Sequence, residues 1–410
     1  QQTLITNLIS AVKQRGATGI NVDFEGVPAA QKTNFTGFMK TLSQRLHDSI
    51  PNSVVSICLP AVDWSSSYDV ANMNNDAVSS RNVDLFIIMG YDYYYGGSTT
   101  AGPTDPLYPY QTSSTSCLSK TFTYYANKVP TSKLVMGLPN YGRQWKVIAA
   151  GLPGTTVSGT GTSKTYKQIK DNTNGYYSVS NVIWNNDAFS NCYQFQIDTS
   201  WYQCFVNNPY SWGRRLDMVV QRDYAGIGIW ALGNDDGYTE LWDKISQKFS
   251  DCATVSCSDS IFDMGGPTRN YFDGEQYSYT IQPTGATGLS LTFTEFFTEA
   301  GYDTLFIYNG NSTTSPLIGA YQGTLSPGSI TASGNALTLR FKSDGATNKT
   351  GWKAIWNCSV DNTLPTTTID QADSIWVTAN YTANFTDSDN AGGSGIDRKF
   401  YQVMYNDGVN

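Results

Sequence analysis

The segment Gly19-Ile20-Asn21-Val22-Asp23-Phe24-Glu25 constrains the fold more than any other stretch of the 410-residue sequence. Side chains of an extended strand alternate between its two faces, so Asn21, Asp23 and Glu25 share one side and Ile20, Val22 and Phe24 the other. A parallel barrel accommodates such a strand. Its outer face packs on helices, and residues at the C-terminal end of the strand reach the active-site mouth. Glu25, the last of the three, is the candidate acid. Taken alone, the heptapeptide also reads as an exposed edge strand whose carboxylates join a surface ion-pair net.

The surrounding sequence favours the barrel. Leu4, Ile5, Leu8, Ile9 and Val12 fall at helical spacing, with Gly16 placed to stop the helix. The pattern then repeats: a helix carrying Phe35, Phe38, Met39, Leu42 and Leu46, a strand near 53–60, a helical patch near 69–80 and a strand at 83–91. Strands alternating with helices indicate parallel β/α units.

Motifs in a fixed order carry a resemblance to glycoside hydrolase family 18. Gly19 to Glu25 fills all but the first position of the signature Asp-Gly-apolar-Asp/Asn-apolar-Asp-x-Glu, and Thr18 stands where that first Asp would be. Val83 to Asp92 resembles the strand ending in Met-x-Tyr-Asp, here Met89, Tyr91 and Asp92. Lys133 to Arg143 resembles the next strand with its substrate-facing Tyr141, and Gly226 to Asp236 the closing strand with Trp230.

The resemblance implies a chitinase-like enzyme on a (β/α)8 barrel. Strands ending at Glu25, Pro60, Tyr91, Tyr141 and Leu232 are too few for that barrel, and the family carries its acid on the fourth strand. The expected fold class is therefore an α/β barrel lacking its first three strands, over residues 1–250, with an inserted subdomain at about 146–211. Leu216 to Asp223 and Thr239 to Phe249 are expected to be its last two helices.

Asp23 and Glu25 lie only about 7 Å apart along one strand and face the same way, so Asp23 is badly placed as a nucleophile on the opposite side of the sugar. The resemblance implies substrate assistance instead, with the 2-acetamido oxygen attacking the anomeric carbon. In that scheme Glu25 is the acid, Asp23 holds the acetamide nitrogen, Tyr91 donates to the acetamide oxygen and Asn21 supports Asp23. Met89, Asp92, Tyr141 and Arg143 line the groove, and Trp230 forms its floor. This route needs no cofactor. The implied partner is chitin or another N-acetylglucosamine polymer. Peptidoglycan hydrolysis and silent chitin binding are the alternatives. His47, the only histidine, ends an amphipathic helix and reads as structural.

After Cys252 the helical period stops, and residues 257–358 read as short strands with turns, an all-β sandwich. Leu291 to Phe297, Asp303 to Gly310, and Leu337 to Phe341 running on to Asp344 and Trp352, resemble a CUB domain. The resemblance implies a calcium site at Glu299, Asp303 and Asp344, whose hard oxygens suit that ion. Residues 362–410 read as the start of a further β-rich module behind a Pro-Thr linker.

A formal net charge of −8 leaves no basic footprint for nucleic acid. No apolar run is long enough to span a membrane. The 27 Tyr and 10 Trp suit a secreted carbohydrate-active protein, because sugars stack their C–H faces on aromatic rings, and Tyr-rich β-domains give the same count for packing reasons. Cys192 and Cys204 lie in one insertion, while Cys257 and Cys358 bracket a domain, so both pairs fit disulfides in an oxidising compartment. Cys58, inside an apolar run, reads as a buried small hydrophobe.

Overall fold

A computed structural model describes residues 1–61, 67–111, 116–249, 257–283, 285–360, 366–369 and 385–388. Five strands, Gly19–Val22, Val54–Pro60, Leu85–Met89, Leu134–Pro139 and Gly226–Trp230, form one parallel sheet in chain order. Alternation explains its two faces. Val55, Ile57, Leu59, Phe86, Ile88, Leu134, Met136 and Leu138 point outward and are buried under helices that supply Met39, Leu42, Leu46, Phe122 and Leu216. Their neighbours Ser56, Cys58, Ile87, Met89 and Gly228 point to the concave side. His47 is structural, with its ring nitrogens 2.8 Å from the Ser80 carbonyl and 2.9 Å from Asp84 Oδ2. Asp84 in turn accepts from the Val55 amide at 2.7 Å, which ties a helix to the sheet.

The expected strand from Lys133 to Arg143 is divided. Its parallel part ends at Pro139, which has no N–H to extend a ladder. Tyr141–Val147 then enters a separate five-stranded antiparallel sheet with Thr162–Thr165, Val182–Asn185, Ser190–Ile197 and Ser200–Val206. Tyr141 and Arg143 therefore sit on the insertion. The helix expected from Leu216 starts earlier, at Pro209, because Asn208 and Ser211 cap it reciprocally and proline suits its first turn.

Cys192 and Cys204 do not form the expected disulfide; both thiols are free and buried. Cys192 lies opposite Phe205 while Tyr193 lies opposite Cys204, so the one-residue offset sends the two thiols to opposite faces of the sheet. Cys257 and Cys358 are bonded, stapling the first and last strands of the following module.

That module is a sandwich of two four-stranded antiparallel sheets. It packs on the outer helices through a continuous apolar core. Polar contacts reinforce the junction: Arg214 pairs with Asp259 at 2.7 Å, Arg269 with Asp187 at 3.1 Å, and Ser119 donates to the Met264 carbonyl at 2.7 Å. Arg222 reaches into the sandwich, its guanidinium 4.1 Å from the centre of the Tyr277 ring. Asp263 and Glu275 are fully buried nearby. Burial pushes Asp263 up to about 7, and burial together with the charge of Asp263 raises Glu275 well above the usual carboxylate range.

Thr366–Ile369 pairs antiparallel with Phe385–Ser388. The remainder of the expected third module, and Cys252, lie outside the described residues. Among the described residues no helix is long and apolar enough to cross a membrane.

Candidate active site

Asn21, Asp23 and Glu25 are all exposed, and the Asn21 side chain lies on the concave side of the parallel sheet against Ser56 and Cys58. The ladder itself ends at Val22, so Asp23 and Glu25 continue just past the paired strand. Tyr68 holds this segment by donating to the Phe24 carbonyl at 2.8 Å, and the Phe24 ring stacks on Phe38 at 5.8 Å.

Asn21 is fixed from the neighbouring strand. Ser56 Oγ donates to Asn21 Oδ1 at 2.9 Å, and Asn21 Nδ2 lies 3.3 Å from Cys58 Sγ. Cys58 is thus not a core hydrophobe. It is half-buried and faces the carboxylates, because alternation along Val54–Pro60 sends Ile57 and Leu59 into the core and leaves Ser56 and Cys58 inward. Burial, followed by the charges of Asp23 and Glu25, raises its thiol above the ordinary value. Sequence reasoning missed Ser56, Cys58 and Tyr68. The alternation of Val54 to Pro60 held the signal for the first two.

Tyr91 extends the cluster. Burial, with charge on Cys58, Asp23 and Glu25 adding to it, pushes its hydroxyl up to about 12, so it is a hydrogen-bond donor at neutral pH. Its ring meets Tyr141 edge-on at 6.4 Å. Asp92 joins two elements, accepting from Tyr141 Oη at 2.9 Å and from an Arg143 nitrogen at 2.7 Å. Burial and the Asp92 carboxylate raise the Tyr141 hydroxyl far above its usual range. The loop after Met89 is thereby tied to the insertion sheet. Trp230 ends the strand at the other edge of the parallel sheet, is 59% exposed, and accepts the Asn140 amide at 3.1 Å.

In the sandwich, one carboxylate oxygen each from Glu299, Asp303 and Asp344 lies within 4.8 Å of the others. Asp303 is fully buried, and it accepts from the Tyr271 hydroxyl and, at 2.9 Å, from the Asp344 amide. The donor set is acidic and all oxygen. It fits a hard divalent cation such as calcium.

Comparison with known proteins gives the family of both parts of the chain. The family profile of glycosyl hydrolases family 18 matches residues 1–235, and that of the CUB domain residues 254–356. The chain belongs to glycosyl hydrolases family 18 and carries a CUB domain behind its catalytic-type region. It is 32% identical over 160 residues to YdhD, a candidate sporulation-specific glycosylase of Bacillus subtilis (strain 168), spanning 38% of this chain and 34% of that protein. It is 24% identical over 253 residues to chitotriosidase-1 of Mus musculus, spanning 58% of this chain and 53% of that protein. The chain thus spans about half or less of the length of these relatives. Among solved structures, the Ostrinia furnacalis group IV chitinase bound to allosamidin aligns with a TM-score of 0.52 at 20% identity, covering 62% of this chain and 73% of that one. This likeness establishes a shared fold.

Proposed function

We propose that this protein is a secreted glycoside hydrolase that cleaves β-1,4-linked N-acetylglucosamine polymers, chitin above all, with retention and with help from the substrate. The observation that carries this reading is that Asp23 and Glu25, two residues apart just past the end of one strand, are near enough to Tyr91 and Cys58 for their charges to act on both. With both acids on one side, the opposite face of the sugar is left to the substrate's own acetamido oxygen.

In the first step that oxygen bonds to the anomeric carbon as the glycosidic C–O bond breaks, and Glu25 gives its proton to the leaving oxygen. Asp23 stabilises the acetamide N–H while Tyr91 donates to the acetamide oxygen. Water then attacks the oxazolinium ion, and Glu25 takes the water's proton. Trp230 offers an exposed ring for stacking beneath the sugar. Asp92, Tyr141 and Arg143 shape the groove wall, and Met89 its base. The five parallel strands are read as the later part of an eight-stranded barrel whose earlier strands would cover the open edge beside Gly19–Val22. Secretion is supported by the CUB domain and the Cys257–Cys358 disulfide.

A second reading, cleavage of the N-acetylglucosamine linkages of peptidoglycan, draws on the 32% identity to a bacterial sporulation-specific glycosylase candidate. Assays on chitin oligomers, their deacetylated counterparts and purified cell walls decide between the two. The expected result is cleavage of acetylated oligomers with initial release of the β-anomer and no cleavage of deacetylated ones. Release of wall fragments without chitin cleavage transfers the assignment to peptidoglycan. Binding of chitin oligomers without any cleavage makes the protein a lectin.

Glu299, Asp303 and Asp344 are proposed to hold a structural calcium ion in the sandwich. An ion bound only by the folded form stabilises it, by about 2.7 kcal/mol at a hundredfold excess over Kd. Calcium is therefore expected to raise the melting temperature of the protein in a concentration-dependent way, and Asp344→Ala to abolish the rise. Equal melting temperatures in excess calcium and in chelator would reject the site.

A further inference from the structure

The strand registration that places Asn21 beside Ser56 and Val22 beside Ile57 sets Asp23 next to Cys58 when carried one residue further. Ser56 Oγ donates to Asn21 Oδ1 at 2.9 Å, and Asn21 Nδ2 donates to Cys58 Sγ at 3.3 Å. This chain leaves the thiol its own proton to donate. Asn21 Oδ1, which also accepts from Ser56, lies 3.7 Å from the sulfur, and Asp23 follows two residues on along the neighbouring strand segment. A charged acceptor makes the stronger bond.

We infer that Cys58 is a positioning residue for Asp23, with its S–H donating to the carboxylate while Asn21 holds the sulfur from the other side. The inference rests on the proposed role of Asp23 in binding the acetamide group. Burial and the nearby carboxylates hold the thiol above its ordinary range. At neutral pH it is therefore a protonated donor rather than a thiolate nucleophile. The Ser56–Asn21–Cys58 chain supplies that positioning across the strand pair.

Alkylation of the intact protein by iodoacetamide across pH, mapped by peptide mass spectrometry, reads the Cys58 thiol directly. Cys117, Cys192 and Cys204 are fully buried and should react slowly, and mapping separates Cys252. Cys58 is expected to reach half-maximal reactivity above the ordinary thiol pKa of about 8.5. In Asp23→Asn the midpoint should fall by roughly half a unit to one unit, because a neighbouring negative charge has been removed. In kinetics, Cys58→Ala is expected to lower kcat about tenfold with KM within about twofold, while Cys58→Ser, which keeps a donor, stays within about threefold of wild type.

An Asp23→Asn protein whose Cys58 titrates as in wild type overturns the inference. So does a folded Cys58→Ala enzyme with unchanged kcat. The titration needs no substrate, so a protein that cleaves no sugar but shows the shift loses the hydrolase reading and keeps the Asp23–Cys58 coupling.

Discussion

Glu25→Gln is expected to lower kcat on N-acetylglucosamine oligomers by at least about 100-fold, with oligomer affinity largely kept. The amide preserves the shape of the side chain but has no proton to give the leaving oxygen, and loss of a general acid costs about 100- to 10,000-fold. A 100-fold loss corresponds to about 2.7 kcal/mol of transition-state stabilisation. Steady-state kinetics with a separate binding measurement isolates the effect in kcat. Turnover at the wild-type level would remove Glu25 from the role and make Asp23 or Asp92 the next acid to test.

Arg215→Met is expected to cost about 3 to 5 kcal/mol of folding stability, the usual result of leaving one member of a buried ion pair alone. Arg215 is fully buried, and its Nε lies 2.6 Å from Asp105 Oδ2. The guanidinium also donates to the Phe189 carbonyl at 2.9 Å and the Ser211 carbonyl at 2.8 Å, while Asn207 donates to Asp105 at 2.8 Å. Burial pushes the Asp105 carboxyl up, and Arg215, Asn207 and Thr104 pull it back. Without the guanidinium, burial prevails. The pair joins the loop before Tyr108 and Tyr110 to the helix Pro209–Gln221, so its loss loosens the junction of sheet, insertion and CUB domain. Chemical denaturation measures the change, and the double variant Asp105→Asn/Arg215→Met should recover part of it. A loss below about 1 kcal/mol for Arg215→Met alone would show that the pair contributes little.

Features that depend on local periodicity were legible along the chain. Two-residue alternation marked Asn21, Asp23 and Glu25 as sharing a face, and helical spacing in Leu4 to Val12 and Phe35 to Leu46 announced the helices that cover the outer side. The order of the motifs identified the family, and the order of the sandwich strands identified the CUB domain. Such patterns are legible because strand and helix geometry fix side-chain direction within a few residues.

Contacts between segments far apart in the chain emerged from the packed fold. Asp105 and Arg215 are 110 residues apart, and neither stretch hints at the other. Alternation along Val54–Pro60 separated Cys58 from Ile57 and Leu59, but strand pairing alone set it against Asn21. A one-residue register offset separated Cys192 from Cys204, although both positions suited a disulfide by spacing. The break at Pro139 moved Tyr141 and Arg143 onto the insertion, where Asp92 binds both across two elements. Strand register, chain crossing and the pairing of buried charges are settled by long-range packing, which no local pattern encodes.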